Sequence, residues 1–564
     1  MSESQAPGLA FWTGLLLAAA VLAAYAGTLS DPLVFESASV LSHDATIRQL
    51  GTALRPPHDG SPVEGRPVLN LSLALNYAAD GAAPAGYHAV NLAIHGLAAL
   101  VLFGIVRRTL LALPEGFQAR EAAVLAGCAA LLWAVHPLQT EAVTNVIQRA
   151  ESLMGLFYLL TLYGFIRGWP GASVAACLLG MATKEVMVTA PVIVLLYDRT
   201  FVAGTFRRAW AGRRGYYLGL AATWLLLAWL ELGAGGRHGT AGFGTPVRWF
   251  DYLRTQAYAL TLYLGLSVWP HRQIFDYGTR LITRWTVVVP SALVVLALVG
   301  FTAAGVCSAQ RRWQGKGFLG AWFLALLAPT ALVPVVTQTI AEHRMYLPLA
   351  AVAVAAVLAL RKICGRRWGA VAAISAAAAA GLGAATVHRN RIYRSEETLW
   401  ADTVEKLPGS ERAHNNLGNA LYSEGRVPEA AAEYERSLEL QPADNAEAQY
   451  NLGTCLLQEG KLDAAAARFR AALALAPLNA DAHNNLGNAL AQAGHLDQAR
   501  AEFARAAELD PGRAEPHYNL GNLWAMGGHR AEAMAEYRRA LQLNPGFADA
   551  RASLERLEAG PAGP

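Results

Sequence analysis

Four short polar groups interrupt long apolar stretches of this chain, and each holds side chains able to bind or move charge. The first segment carries Asp31, Glu36, Asp44, Asp59 and Glu64, then Arg66 before Pro67 and the amphipathic run Leu69 to Tyr77. A second group runs from His136-Pro137-Leu138-Gln139-Thr140-Glu141 to Gln148-Arg149-Ala150-Glu151. Thr183-Lys184-Glu185 is the third, and Glu342-His343-Arg344-Met345-Tyr346-Leu347-Pro348 the fourth. An unpaired charge near hydrocarbon costs at least ~2.5 kcal/mol, so ionisable residues at the ends of apolar runs are functional candidates by default. Gathered on one face, these carboxylates and guanidinium groups could serve an anionic lipid head group and a proton transfer together. Each group also has a plain structural reading: Lys184 and Glu185 can pair with each other, and His136 before Pro137 can only end a helix.

The elements that must position these groups are apolar. Of 564 residues, 54% are hydrophobic and 16% charged, too little charge to coat a soluble globule, and the apolar runs are too many and too long for one ordinary core. Stretches near spanning length fall at 9–29, 88–112, 121–136, 150–166, 171–183, 186–203, 215–233, 286–308, 317–335, 346–361 and 368–387, which predicts an all-α, polytopic membrane domain with about eleven spans. A twelfth stretch, 252–269, contains Arg254, Thr255 and Gln256 and is expected to lie in the interface or re-enter. The first run is expected to be a retained helix, with Met1 to Gly8 on the cytoplasmic side.

Loop charge supplies an orientation. Arg107, Arg108, Arg120, Arg167, Arg199, Arg207, Arg208, Arg213, Arg214, Arg311, Arg312, Lys316, Arg361, Lys362, Arg366 and Arg367 all fall in loops of one parity when 252–269 does not cross. The positive-inside rule assigns those loops to the cytoplasm and the first long loop, 30–87, to the other side, together with everything after the last span. A formal net charge of +4, with arginines beside apolar segments rather than along one stripe, argues against nucleic acid as a partner. None of the five cysteines forms a Cys-x-x-Cys pair, and no compact Asp/His cluster has metal-ligand spacing, so neither metal nor cofactor is expected.

From Ala413 a period of about 34 residues sets in, marked by Leu417-Gly418, Leu452-Gly453, Leu486-Gly487 and Leu520-Gly521. Gly425, Gly460, Gly494 and Gly528 recur at the inter-helix turn, and Ala430, Ala465, Ala499 and Ala533 where two helices close together. Tyr434, Phe469, Phe503 and Tyr537 are phased knobs, and Pro442, Pro477, Pro511 and Pro545 end each second helix. This is the tetratricopeptide pattern, four copies stacked as an α-solenoid. Asn416, Asn451, Asn485 and Asn519 precede each Leu-Gly pair on the helix that lines the concave surface. An amide carries both a donor and an acceptor, which suits reading an extended peptide backbone; the alternative is that these amides bridge adjacent units or are simply solvated. The expected organisation is a membrane domain over 1–390, a linker helix over 391–411, repeats over 412–558 and a tail over 559–564.

The strings Arg66-Pro67-Val68-Leu69, Leu75-Asn76-Tyr77, Tyr87-His88-Ala89-Val90-Asn91-Leu92 with His95, His136-Pro137 to Glu141-Ala142-Val143, Arg149-Ala150-Glu151, Thr183-Lys184-Glu185 and Arg344-Met345-Tyr346-Leu347-Pro348, in this order before a repeat rod, resemble the transmembrane and tetratricopeptide-repeat O-mannosyltransferases and their bacterial relatives. The resemblance implies a GT-C glycosyltransferase of a multi-pass membrane, with the bacterial inner membrane as its expected place. It implies a polyprenyl-phosphate-linked sugar as donor and an acid in the first external loop that deprotonates an acceptor hydroxyl. Where that family reads Phe-Asp-Asp, this chain reads Phe35-Glu36-Ser37. On the resemblance Glu36 is the base and Asp44 a reserve acid; Arg66, Lys184 and Arg344 contact the donor phosphate; and His88, His136, Glu141, Arg149, Glu151, Glu185 and His343 shape the site. The acceptor would be an exported polypeptide held by the repeats. Two other readings stay open, a non-catalytic membrane scaffold whose repeats recruit an envelope protein and a transporter for lipid-linked sugars.

Overall fold

The computed structural model describes residues 6–113, 116–233, 241–243, 245, 247–365 and 367–559. Most of the tail, 560–564, the leader residues 1–5 and Arg366 of the basic loops lie outside the described residues. The described chain is helical from end to end and forms two compact units, Met1–Asp402 and Thr403–Pro564, divided within the helix Glu396–Lys406.

All eleven apolar stretches of the first unit are helices, but they differ in length. Seven are long and apolar enough to cross a membrane on their own: Gly8–Thr28, Pro84–Ala112, Glu185–Ala203, Phe206–Gly233, Trp285–Cys307, Arg311–Leu332 and Trp368–Arg394. An eighth is the pair Ala119–Ala134 and Pro137–Thr144 taken together, bent by 57°. The other three expected spans are Arg149–Arg167, Pro170–Met181 and Pro348–Cys364, of 19, 12 and 17 residues. The doubtful segment 252–269 is a continuous helix, Trp249–Val268, which buries Asp251, Thr255 and Gln256. Its polar residues turn inward, with Gln256 Nε2 donating to the Thr339 carbonyl at 2.7 Å, so an apolar count understates how well this segment packs.

The bend between Ala119–Ala134 and Pro137–Thr144 follows from Pro137, which has no N–H and disfavours helix at the residue before it. His136 fills the gap: its Nδ1 accepts from the Leu138 amide at 3.2 Å, while Nε2 donates to the Ser267 carbonyl at 3.2 Å. Below the bend lies an aromatic knot. His95 Nε2 donates to the Ala134 carbonyl at 2.9 Å, which leaves its Nδ1 to accept from the Tyr346 hydroxyl at 3.0 Å, and Trp133 Nε1 donates to the Tyr346 carbonyl at 2.7 Å.

The bundle has two chemically different ends. At one, the basic loops meet: Arg361 Nε lies 2.9 Å from Glu121, Arg120 covers the Trp368 ring at 4.6 Å, and Phe201 packs on Phe318 with centroids 5.2 Å apart. At the other, the first loop folds back onto the acidic groups, and the Val68 amide donates to the Ala182 carbonyl at 3.0 Å. The helix Arg149–Arg167 joins them, with Glu151 near one end and Arg167 at the other.

The second unit is four helix pairs and a final helix, Ala548–Ala559. Ser410, Asn445 and Asn479 cap the first helices of the first three pairs by accepting from backbone amides three residues on. The Leu-Gly signature has a direct steric cause: a Cβ on Gly418, Gly453, Gly487 or Gly521 would come within 2.6 to 2.8 Å of the ring of Tyr434, Phe469, Phe503 or Tyr537. The turn glycines Gly425, Gly460, Gly494 and Gly528 all take positive φ, 75° to 84°. Within the first, third and fourth pairs a histidine meets a glutamate nineteen residues on, His414–Glu433, His483–Glu502 and His517–Glu536, at 2.6 to 2.7 Å. In the second pair Gln449 and Arg468 occupy the same two places, 3.2 Å apart.

Candidate functional site

The four polar groups converge at one end of the first unit. Three supply a buried chain of ionisable groups: Lys184 Nζ lies 2.6 Å from Glu151 Oε1, that oxygen lies 3.9 Å from His343 Nε2, and His343 Nδ1 lies 2.6 Å from Glu141 Oε1. Each side chain is at most 8% exposed. The fourth group joins through Arg66, whose guanidinium meets Glu185 at 3.2 Å and also donates to the Pro62 carbonyl at 2.9 Å. Local structure explains why these residues are presented rather than absorbed into helices. Glu141 follows the Pro137 bend, Lys184 sits in extended backbone between two helical pieces, and His343 lies in a single 3-10 turn, Glu342–Met345.

Arg344 differs from the other cations. It lines a small notch with Glu151, Met154, Val186 and Pro348, and its two terminal nitrogens donate to the carbonyls of Gln338 and Thr339 at 2.6 and 3.1 Å. Carbonyl oxygens orient a guanidinium without cancelling its charge, so Arg344 keeps more attraction for an anion than Arg66 or Lys184.

The first-loop acids divide. Asp44 caps the helix Ala45–Arg48, with Oδ1 accepting from the amide and hydroxyl of Thr46, both at 2.7 Å. Glu36 opens the helix Glu36–His43, and the turn before it is held on three sides. Phe35 adopts φ 53°, its amide donates to Glu396 at 3.0 Å, and its ring packs edge-on against Phe275 and Trp400. Ser37, where the resembling family has its second acid, is 1% exposed; its Oγ donates to Asn145 Oδ1 at 2.8 Å and accepts from the Ile147 amide at 3.1 Å. That turn follows Glu141 directly, so the loop carrying Glu36 is pinned to the segment carrying the buried charges.

Three of the expected residues also tie elements together. Arg149 is fully buried, with Nε donating to Asn91 Oδ1 at 2.6 Å and its terminal nitrogens to Asn76 Oδ1, the Ser72 carbonyl and the Tyr87 carbonyl at 2.7 to 3.1 Å. His88 Nε2 donates to the Asp31 carbonyl at 3.2 Å, and burial holds the Asp31 carboxyl above the usual carboxylate range. His136 caps the bend as described.

Sequence patterns missed two contributors, Asp276 and Arg389, and named a third, Glu342, in the fourth polar group without giving it a role. Glu342 accepts from Gln273 Nε2 at 3.1 Å, the Ile274 amide at 2.7 Å and the Tyr277 hydroxyl at 2.8 Å. Burial nevertheless pushes its carboxyl up to about 7, against the pull of Arg389 and these donors. Burial, aided by Lys184, pushes its neighbour His343 down to about 3. Asp276 is 2% exposed and Arg389, paired with Asp402 at 2.9 Å, is 7% exposed. Phe275 links this wall to Phe35. The loop around 270–282 has no hydrophobic period and gave no signal for Asp276; for Arg389 the one available sign was a charge at the end of an apolar run.

In the repeats the amides form a ladder. Asn451 Nδ2 donates to Asn419 Oδ1 at 2.9 Å, Asn485 Nδ2 to the Tyr450 hydroxyl at 3.0 Å, and Asn519 Nδ2 to Asn484 Oδ1 at 3.0 Å. Each bond joins one repeat to the previous one, the alternative that the sequence left open. Asn416, on the first repeat, is half-buried.

The tetratricopeptide repeat family model matches residues 397–445, 415–480, 450–514 and 484–548. The chain is 24% identical over 493 residues to protein O-mannosyl-transferase TMTC4 of Mus musculus, covering 75% of this chain and 66% of that one. It is 27% identical over 431 residues to protein O-mannosyl-transferase TMTC1 of Homo sapiens, covering 67% of this chain and 48% of that one. The chain thus spans less than two thirds of the length of these curated relatives. Among solved structures, MamA is similar at 23% identity and a TM-score of 0.26, over 27% of this chain and 88% of that one.

Proposed function

Because the chain is a TMTC-like membrane protein carrying tetratricopeptide repeats, we propose that it is a membrane glycosyltransferase. It moves a sugar from a polyprenyl-phosphate donor to a hydroxyl of an exported polypeptide engaged by the repeats. The observation that carries this reading is the buried chain Lys184–Glu151–His343–Glu141 beside Arg344 and the Arg66–Glu185 pair. The Glu36 carboxylate takes the acceptor proton as the hydroxyl oxygen attacks the anomeric carbon. The bond from that carbon to the phosphate oxygen breaks, the electron pair leaves with the lipid phosphate, and the sugar inverts. Arg344 meets the departing phosphate, with Arg66 and Lys184 held by Glu185 and Glu151 as supporting cations. The basic loops face the cytoplasm, while the site and the repeats face the opposite side of a bacterial inner membrane.

The test uses membranes containing the full chain and a labelled lipid-linked sugar. Glu36→Gln and Arg344→Gln should each lower transfer to polypeptide by 100-fold or more, whereas Asp44→Asn should keep transfer in proportion to folded protein. Unchanged transfer by Glu36→Gln removes that residue as base. One observation favours a non-catalytic scaffold: the second acidic position is Ser37, committed to Asn145 and Ile147. Absence of transfer by the parent chain, together with a stably co-purifying envelope protein, would favour the scaffold.

A further inference from the structure

The end of the bundle that carries the basic loops holds a cavity of about 520 Å³, lined by Phe165, Gly168, Pro170, Arg213, Arg214 and Tyr216 among others. It forms where two breaks in the helices meet. Gly168, at φ 71°, ends the helix Arg149–Arg167 in a left-handed cap, and the helix Pro170–Met181 starts two residues later with its first turn at the cavity wall. Opposite them the helix Phe206–Gly233 is kinked at Arg213, whose φ and ψ of −142° and 28° leave the helical region.

The walls are built rather than loose. Phe165 stacks on Tyr216 with centroids 5.7 Å apart, the Tyr216 hydroxyl lies 2.7 Å from Ser173 Oγ, and the Arg213 guanidinium lies over the Phe165 ring at 5.6 Å. Arg213 also donates to both oxygens of the fully buried Asp198, at 2.8 and 3.0 Å, which neutralises it. Arg214 has no such counter-charge among the described residues; it is exposed, and it faces the cavity as a bare cation. Arg167, over the Trp169 ring at 4.5 Å, adds a second positive charge beside the mouth.

Depth in the bilayer identifies the occupant. The helix Arg149–Arg167 has 19 residues and spans roughly 27 Å at 1.5 Å per residue, so the cavity and Glu151 lie at opposite ends of the bundle, separated by close to a hydrocarbon thickness. Trp169, Phe206 and Trp210 are 48% to 49% exposed around this end, the amphipathic belt expected at the level of lipid head groups. A free Arg, a helix N-terminus and a roomy aromatic-walled cavity at that level suit a phosphate ester anion whose acyl chains continue into the bilayer.

We propose that this cavity binds the phosphodiester head group of an anionic phospholipid through Arg214, Arg167 and the first turn of the helix Pro170–Met181. The site is separate from the acidic cluster and does not depend on the transfer reaction. A bound head group would brace the kink at Arg213 against the Gly168 turn.

The experiment uses the full chain in zwitterionic nanodiscs with phosphatidylglycerol titrated in, and bound lipid counted by native mass spectrometry. One phosphatidylglycerol should be retained by the parent protein, about fivefold more weakly by Arg214→Gln and about 25-fold more weakly by Arg214→Glu, on one or two lost units of attraction near the surface. Arg207→Gln, a nearby arginine that does not line the cavity, should retain it as the parent does. Glycerol phosphate in solution is the second arm: displacement of the lipid at millimolar concentration would assign the site to a soluble phosphate ester and overturn the lipid. Equal retention by the parent and both Arg214 variants would overturn the site itself.

Discussion

Removing Glu151 should expose how much of the cluster's stability is a single charge pair. In Glu151→Leu most of the side-chain volume is kept, but Lys184 Nζ loses a carboxylate at 2.6 Å and His343 loses the facing charge at 3.9 Å. Lys184 is 8% exposed, so water cannot replace the lost partner, and breaking one side of such a pair costs about 3–5 kcal/mol. Lys184→Met should cost a similar amount, because it strands Glu151 near Glu141 and their shared His343. The double variant Lys184→Met with Glu151→Leu removes both charges and should lie within about 2 kcal/mol of the parent, since apolar replacement of a buried pair is near neutral. The cycle therefore closes with a coupling of several kcal/mol. The assay is equilibrium unfolding of the purified chain in detergent, read by tryptophan fluorescence, with all four proteins in parallel. Additivity of the two single changes within about 0.5 kcal/mol would refute the pair as a coupled unit.

The remaining predictions concern pH, the loop turn and the repeats. The Glu342 carboxyl rises from its ordinary 4.5 to about 7, so the folded state keeps a proton that the unfolded chain releases; stability should fall by about 3 kcal/mol between pH 4.5 and 7, and Glu342→Gln should flatten that part of the profile. His343, lowered to about 3, has the opposite sign: the unfolded chain binds the extra proton, so stability should rise with pH from about 3 to 6.5, and His343→Gln should remove that rise. Ser37→Asp, which restores the family's second acid, should destabilise by about 1–3 kcal/mol because a carboxylate cannot donate to Asn145, measured as a lower melting temperature. Gly487→Ala places a Cβ 2.6 Å from the Phe503 ring and should cost about 1–3 kcal/mol, seen as earlier protease cutting within the third repeat.

The repeats were legible because one steric demand, a glycine under an aromatic ring, recurs in phase, and the same side chains that write the period do the packing. The convergence of Glu141, Glu151, Lys184 and His343 was legible because charge interrupting apolar sequence has few other places to go. The division of labour among those residues was not. Arg149 and Lys184 look alike in the sequence, yet one is satisfied by amides and carbonyls and the other by a carboxylate. Asp44 could have been recognised as a cap from Thr46 two residues on, since Asp before a short helix commonly accepts from that amide. Apolar length overstated the independent spans, because Pro170–Met181 is apolar enough but only 12 residues long. The bond partners of the asparagines depend on inter-repeat distances that no linear pattern records.

The exchange of His–Glu for Gln–Arg in the second helix pair bears on how the array finds its alignment. Nearly identical repeats invite a first helix to close against the second helix of the wrong unit, a swap that costs little apolar contact. Such a slip would set Arg468 against His414 or His483, or Gln449 against a glutamate with no proton donor of equal strength, in place of the partners it has now. One odd pair among four thus acts as an index mark, penalising misaligned assemblies while leaving the aligned one intact.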